Sequence, residues 1–471
     1  MRLRHFLPRV KPLALAAAAL ALSACATFSQ DGGLDSVSAM TAQRTGQPVE
    51  FAKADGKAGD TGKRMHQLLA RPLTPDTAVQ AALLNNRGFQ AALAELGIAE
   101  ADLVAAGRMR NPGFSFSRMR GGSEVEIERS VMFDLVGLLT IPLRSEIEGR
   151  RFEQARLQAA SEAVRLASAT RKADFSAVAG QQTAAYMEQV REAAEAGAGL
   201  AREMARTGNF SKLDRAREQA FYAEATAQVA RSRHNATAAR EQLARLMGVW
   251  GGDAAFQLPD RLPDLPAEPN AIRDIEAQAM RERLDIQMAR RDAEATASAL
   301  GLSKATRFIN VLDAGYANKS ATGAPRENGY EIELELPLFD WGGARTAKAE
   351  AIYMQSVHRA ADTAVRARSE VREAYSAYRT SYDLARHYRD EVVPLRKQIS
   401  DEILLRYNGM LASVFELLAD ARAQIGSATA AIEAQRDYWL AETALQAAIN
   451  GSGGASMAMP AQTASEAGPG H

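Results

Sequence analysis

Residues 330–343 read YEIELELPLFDWGG, and their alternation decides the fold. Tyr330, Ile332, Leu334 and Leu336 fall at every second position, with Glu331, Glu333 and Glu335 between them. A strand sends successive side chains to opposite faces, so the run predicts one apolar face and one acidic face. Pro337 and then Gly342-Gly343 bring it to a close. The first half of the chain repeats the device. FSFSRM at 114–119 and EVEIE at 124–128 alternate in the same way across the turn Gly121-Gly122-Ser123, and Val125 and Ile127 oppose Glu124, Glu126 and Glu128.

Around these strands the sequence is helical in character. Thr74 suits an N-cap, Pro75 the first helical position and Asp76 the positive end of the helix dipole. That helix runs to about Arg110, where Asn111-Pro112-Gly113 stops it, and Pro142 ends the strand block. Leu143 to Arg206 contains no proline, which predicts one helix about 95 Å long at 1.5 Å per residue. No globular core accommodates such a rod, so it belongs in a coiled coil or a helical tube. The rod breaks at Thr207-Gly208-Asn209-Phe210, and a return helix covers Ser211 to Gly248. A connector at 253–269 carries Pro259, Pro263, Pro266 and Pro269.

The plan then starts again. A helix is expected over 270–306, strands near 307–317 and 329–338 around the loop NKSATGAPREN, and a long helix from Gly342-Gly343 to about Arg406. A break at Tyr407-Asn408-Gly409-Met410 precedes a last helix from Ser413 to Asn450. Phe133-Asp134 recurs as Phe339-Asp340, Ser211-x-x-Asp214 as Ser413-x-x-Glu416 and Gly248 as Gly451, each about 200 residues later, the mark of an internal duplication. The expected organisation is a first repeat at 73–252 (strands about 113–136), the connector, a second repeat at 270–450 (strands about 307–338) and a disordered Gly/Ala/Ser-rich tail at 451–471.

Lys+Arg and Asp+Glu both total 57, and a neutral chain is a poor partner for nucleic acid. Arg2, Arg4, Arg9 and Lys11 precede the apolar run Leu13–Leu22, which is too short for a mature span, so residues 1–24 read as a signal peptide. Leu22-Ser23-Ala24-Cys25 resembles the lipobox of bacterial lipoproteins, which implies lipidation of Cys25; an ordinary export signal is the plainer alternative. Ala26 stands where an inner-membrane retention signal would have Asp, which favours the outer membrane. Residues 25–72 read as an extended tether. Cys25 is the single cysteine, so no intramolecular disulfide forms.

No other run approaches the ~18 apolar residues of a membrane helix, so any bilayer crossing must be made by strands in a closed barrel. Four strands per chain cannot close one, since single-chain barrels begin at eight; two chains would supply eight strands and three would supply twelve. In that setting Tyr330, Ile332, Leu334 and Leu336 face lipid, while Glu124, Glu126, Glu128, Glu331, Glu333 and Glu335 face the lumen. A half-buried sheet on a soluble core explains the alternation alone, but not the length of the helices beside it.

The stretches LPLFDWGGAR (336–345), NPGFSFS (111–117), GNFSKLDRAREQA (208–220), YNGMLASVFELLADAR (407–422) and LARLMG (243–248), in that spacing, resemble the TolC-type outer-membrane efflux family in its lipoprotein branch. The resemblance covers about 70–450. It implies a mainly α chain with a membrane β-barrel: a homotrimer with one twelve-stranded barrel in the outer membrane and a periplasmic α-helical tunnel. It also implies a periplasmic adaptor and an inner-membrane pump of the RND type as partners. By the same resemblance the helix breaks form the periplasmic entrance, where Tyr407 and Asp214 match residues that hold it shut and Glu416 matches an acidic ring. Ala412 and Ala419 stand where some members have an arginine and a second acid, so that lock is incomplete. Ser211-x-x-Asp214 and Ser413-x-x-Glu416 also read as capping boxes.

The histidines (His5, His66, His234, His358, His387 and His471) show no metal-ligand spacing, and neither a nucleophile elbow nor a P-loop is present. The expectation is a passive duct without cofactor, metal or enzymatic activity. A type I protein-secretion duct and a lipid-anchored coiled-coil scaffold without a pore are the alternatives. The acidic lumen admits two readings: cationic cargo, or carboxylates that only keep the channel wet.

Overall fold

In the computed structural model the described residues are 27–51, 58–208, 210–271, 274–308, 311–335 and 339–451. The signal segment with Cys25, the tail beyond Gly451, and Leu336 and Pro337 lie outside them. The chain is mostly helical with one small antiparallel sheet. Its elements are α1 (Leu34–Thr45), α2 (Ala58–Leu69), α3 (Pro75–Asn85), α4 (Arg87–Ala106), β1 (Gly113–Gly121), β2 (Glu124–Asp134), α5 (Leu135–Arg206) and α6 (Lys212–Met247). Then come α7 (Ile275–Glu282), α8 (Leu284–Ala305), β3 (Leu312–Ala321), β4 (Glu327–Leu334), α9 (Gly343–His387), α10 (Val393–Asn408) and α11 (Val414–Asn450). Among the described residues no helix is long and apolar enough to cross a membrane.

Several boundaries differ from the sequence reading. The region read as a tether contains α1 and α2. Ser29 donates from its N–H and hydroxyl to Glu100 Oε1 at 2.6 and 2.5 Å, and Arg156 Nε donates to Ser36 Oγ at 2.6 Å, so this segment is held to α4 and α5. The expected helix from Pro75 to Arg110 is two, parted at Asn86, whose side chain is spent on Leu246 O (2.9 Å) and the Phe89 N–H (2.9 Å). The helix expected over 270–306 is likewise two, α7 and α8. Pro142 sits inside α5 instead of before it. The helix starts early because Asp134 Oδ1 accepts from the Gly137 N–H at 2.6 Å and turns the chain directly out of β2. Strand β3 begins five residues later than expected and runs to Ala321, so much of NKSATGAPREN is strand; β4 ends at Leu334, one residue short of Glu335.

Tyr388–Val392 forms a π-turn between α9 and α10. Pro394 lacks an N–H and would clash with the carbonyl of Asp390 in a regular helix; the wider turn, with the Val393 N–H reaching back to Tyr388 O, removes the conflict.

The chain divides into two compact units. The first takes in residues as far as Met40, Gln90–Ala160 and Asp285–Ala364, and holds the whole sheet. Its strand order is β1-β2-β3-β4, antiparallel throughout. Within its helices Arg150 bridges Glu146 (2.8 Å) and Glu294 (2.9 Å), and Thr296 and Ser356 share a hydroxyl hydrogen bond at 2.7 Å.

The second unit takes in Thr41–Phe89, Ser161–Leu284 and the chain from Val365. Its core is aromatic: Tyr378, Tyr382 and Tyr438 pack with Leu265, Leu445 and Ile449. These side chains also fix the proline-rich connector. The Tyr382 hydroxyl donates to Ala267 O (2.7 Å), Trp439 Nε1 to Pro263 O (3.0 Å), and the Asn270 N–H to the Tyr378 hydroxyl (2.9 Å). Arg283, 1% exposed, donates to Ala448 O at 2.8 Å and to Glu370 at 2.7 Å. Asp174, also 1% exposed, has no hydrogen-bond partner for Oδ1 among the described residues, and burial pushes its carboxyl up to about 7.

Candidate functional site: a two-faced sheet and a pair of hairpin tips

Pairing in the sheet aligns the alternation of both halves of the chain. Glu126 lies opposite Met119 and Ala321, Glu128 opposite Ser117 and Lys319, and Gly315 and Asp313 opposite Glu331 and Glu333. Glu124, Glu126, Glu128, Asp134, Asp313, Glu327, Glu331 and Glu333 therefore share one face, on which Lys319 is the one basic residue and pairs with Glu126. Glu335 lies just past β4, where its N–H donates to Val311 O at 3.4 Å.

The opposite face stacks in rows across the strands. Nearest the helices are Leu312 with Leu334, then Phe133, Ala314 and Ile332, then Phe114, Val131, Tyr316 and Tyr330. Tyr330 is 91% and Ile332 72% exposed, and the Tyr316 and Tyr330 rings meet edge-on at 6.3 Å. A continuous exposed apolar face of this kind marks a surface meant for a partner or for lipid. Both outer strands, β1 and β4, also present unpaired edges within the chain.

The FDWGG motif supplies the turn from sheet to helix. Asp340 Oδ1 accepts from the Gly342 N–H at 2.9 Å, and Arg307 Nε donates to Trp341 O at 3.0 Å. Gly342 has φ +69°, and a Cβ there would stand 2.7 Å from Arg307 O, so the position excludes a side chain.

The two helix breaks lie in the second unit. Ser211 caps α6: its hydroxyl accepts from the Asp214 N–H at 3.1 Å and donates to Asp214 Oδ2 at 2.5 Å. Ser413 and Glu416 form a reciprocal capping box on α11, at 3.3 and 3.4 Å. Glu416 thus completes the reciprocal box that the sequence spacing allowed, whereas the Asp214 side chain meets only the Ser211 hydroxyl and leaves its box half made. Asp214 also pairs with Arg217 at 3.3 Å. Tyr407 is half-buried in the last turn of α10, its carbonyl accepting from the Met410 N–H at 3.0 Å, and Met410 and Leu411 stand exposed at the tip.

A pair just beyond the tips was missed in sequence. Glu218 on α6, 3% exposed, accepts from Arg422 on α11 at 3.4 Å, and the Arg422 guanidinium lies 4.4 Å over the Phe221 ring. Oε2 of Glu218 and Oδ2 of the nearby buried Asp420 lack hydrogen-bond partners among the described residues. The signal was present: Glu218 lies on the same buried stripe of α6 as Ala225 and Val229, where a charge needs a partner. No group of side chains among the described residues could hold a metal ion.

No family model matches the sequence, and no curated protein matches it. Solved structures do. The outer-membrane channel OprN superposes with a TM-score of 0.67 at 18% identity, covering 88% of this chain and 95% of that one. The Campylobacter jejuni CmeC outer membrane channel gives 0.66 at 15%, over 86% and 90%. The open state of the Neisseria gonorrhoeae MtrE outer membrane channel gives 0.66 at 16%, over 80% and 89%. The fold is that of the outer-membrane channels the sequence resembles.

Proposed function

We propose that this chain is a TolC-type outer-membrane efflux protein, the passive exit duct of a tripartite system and not an enzyme. The observation that carries the reading is the sheet: four strands with two open edges, one face apolar and exposed, the other bearing eight carboxylates. Open edges in a bilayer leave backbone groups unpaired, so copies of the chain must share one barrel. Three copies give twelve strands, the number the family resemblance implies. In this reading each chain gives two strand hairpins to the barrel and two helical hairpins to a periplasmic tunnel. The carboxylate face lines the lumen, and Asp214, Tyr407 and Glu416 ring the periplasmic entrance. A periplasmic adaptor and an RND-type inner-membrane pump supply cargo and energy, and a lipid on Cys25 anchors the chain at the outer membrane.

The experiment is the mass of the protein extracted by detergent from outer-membrane fractions, with bound detergent subtracted. Three times the mature chain is expected. A monomer recovered without detergent from the soluble periplasm overturns the barrel.

A further inference from the structure

On the apolar face of the sheet the composition changes abruptly at the fourth row. Phe116, Arg129, Asn318 and Asn328 stand side by side there, followed toward the hairpin turns by Arg118 with Ile127 and Ser320, then Arg120 with Val125. The fourth row is a connected polar ladder. The Arg129 guanidinium lies 5.9 Å over the Phe116 ring and donates to Asn318 Oδ1 at 3.2 Å, and Asn318 Nδ2 donates to Asn328 Oδ1 at 2.7 Å. Arg120 Nε donates to Gly122 O at 3.4 Å.

Arg118, Arg120 and Arg129 are all exposed, and among the described residues none is in an ion pair. Every carboxylate of the four strands projects from the other face. Arg118 and Arg129 are diagonal neighbours across the β1–β2 pair, about 7–8 Å apart at the backbone, and Arg120 follows on the same face of β1, about 7 Å along the strand. Three like charges this close, on a face without a counter-ion, call for an anion from outside the chain.

We propose that Arg118, Arg120 and Arg129 form a seat on the outer wall of the barrel for the phosphate groups of an anionic glycolipid in the outer leaflet. The proposal rests on the duct reading, which points the hairpin turns away from the periplasm. An arginine is costly at the bilayer midplane and nearly free at the interface, so the arginine rows fix the interface just beyond the aromatic row of Phe114, Tyr316 and Tyr330. Guanidinium groups match phosphate by paired hydrogen bonds, which a single ammonium does not reproduce. An aromatic row directly beneath a cationic one also suits a boundary between acyl chains and phosphorylated headgroups.

The test titrates the detergent-extracted protein with diphosphoryl lipid A and, separately, with its dephosphorylated form, and counts bound lipid by native mass spectrometry. The wild type should retain the diphosphoryl form and release the other. Affinity should fall about fivefold for each arginine changed to glutamine, in line with about 1 kcal/mol per basic side chain at an anionic surface, and high salt should reduce it in the wild type. The single variants Arg118→Gln and Arg120→Gln provide the measurement if the triple variant assembles poorly. Equal retention of both lipids, or by wild type and variants, overturns the seat while leaving the trimer mass intact. A protein that never forms the trimer overturns the duct reading, and the seat with it.

Discussion

Changing Asp174 to Asn tests whether a buried carboxyl in the second unit costs stability. Asp174 is almost fully buried on α5, one oxygen lacks a partner among the described residues, and burial pushes the group from 3.8 up to about 7. Below 3.8 the acid is neutral in folded and unfolded chains alike. As pH rises from 3.8 toward 7 the unfolded chain gives up this proton and the folded one keeps it, so stability falls; above about 7 both are ionised and the loss is complete. At about 1.4 kcal/mol per pH unit the full loss is about 4 kcal/mol, well under half of it already present at pH 5. Asn has the same shape and no charge. Urea unfolding of the detergent-extracted protein, followed by circular dichroism, should show Asp174→Asn gaining about 2–3 kcal/mol over the wild type between pH 5 and pH 8. Identical pH dependence in the two proteins, or a variant weaker than the wild type at pH 8, would mean that the carboxylate has a compensating partner and would refute the reasoning.

Three further outcomes are expected. Arg422→Ala strands Glu218 as a buried, unpaired charge and should cost about 3–5 kcal/mol; hydrogen exchange should rise in the first turns of α6 and α11, and Glu218→Leu combined with Arg422→Leu should recover much of the loss. Gly342→Ala forces a Cβ against Arg307 O at φ +69° and should cost about 1–3 kcal/mol, read as reduced assembly into the outer membrane; full assembly would show that the turn can relax. Replacing Glu126, Glu128, Glu331 and Glu333 by Gln should lower cation selectivity in planar bilayers, and an unchanged reversal potential would remove that face from the conduction path.

The strands were legible because period two is a direct consequence of backbone geometry, and YEIELEL and EVEIE display it without interruption. The pairing of their two acidic faces was not, since register is set between segments far apart in sequence. Capping at Ser211 and Ser413 could be read from spacing alone. Helix α1 was overlooked because its inward positions, Val37, Thr41 and Thr45, are spaced as a helix requires but two are threonines, which hide the apolar stripe. The π-turn had a visible cause in Pro394, yet a proline predicts a break as readily as a widened turn. Glu218 and Arg422 come from helices about 200 residues apart, and only the packed pair shows that each answers the other.

The strict alternation also dictates how these hairpins can change length. Inserting or deleting a single residue within β2 would exchange the two faces from that point on, sending glutamates toward the greasy side and aromatics toward the wet one. A step of two residues would preserve both faces and add or remove one row, about 7 Å of strand. Variation in this sheet should therefore come in even increments, and odd ones should survive only at the turns beyond Gly121 and Ala321 or beside a bulge that restores the parity.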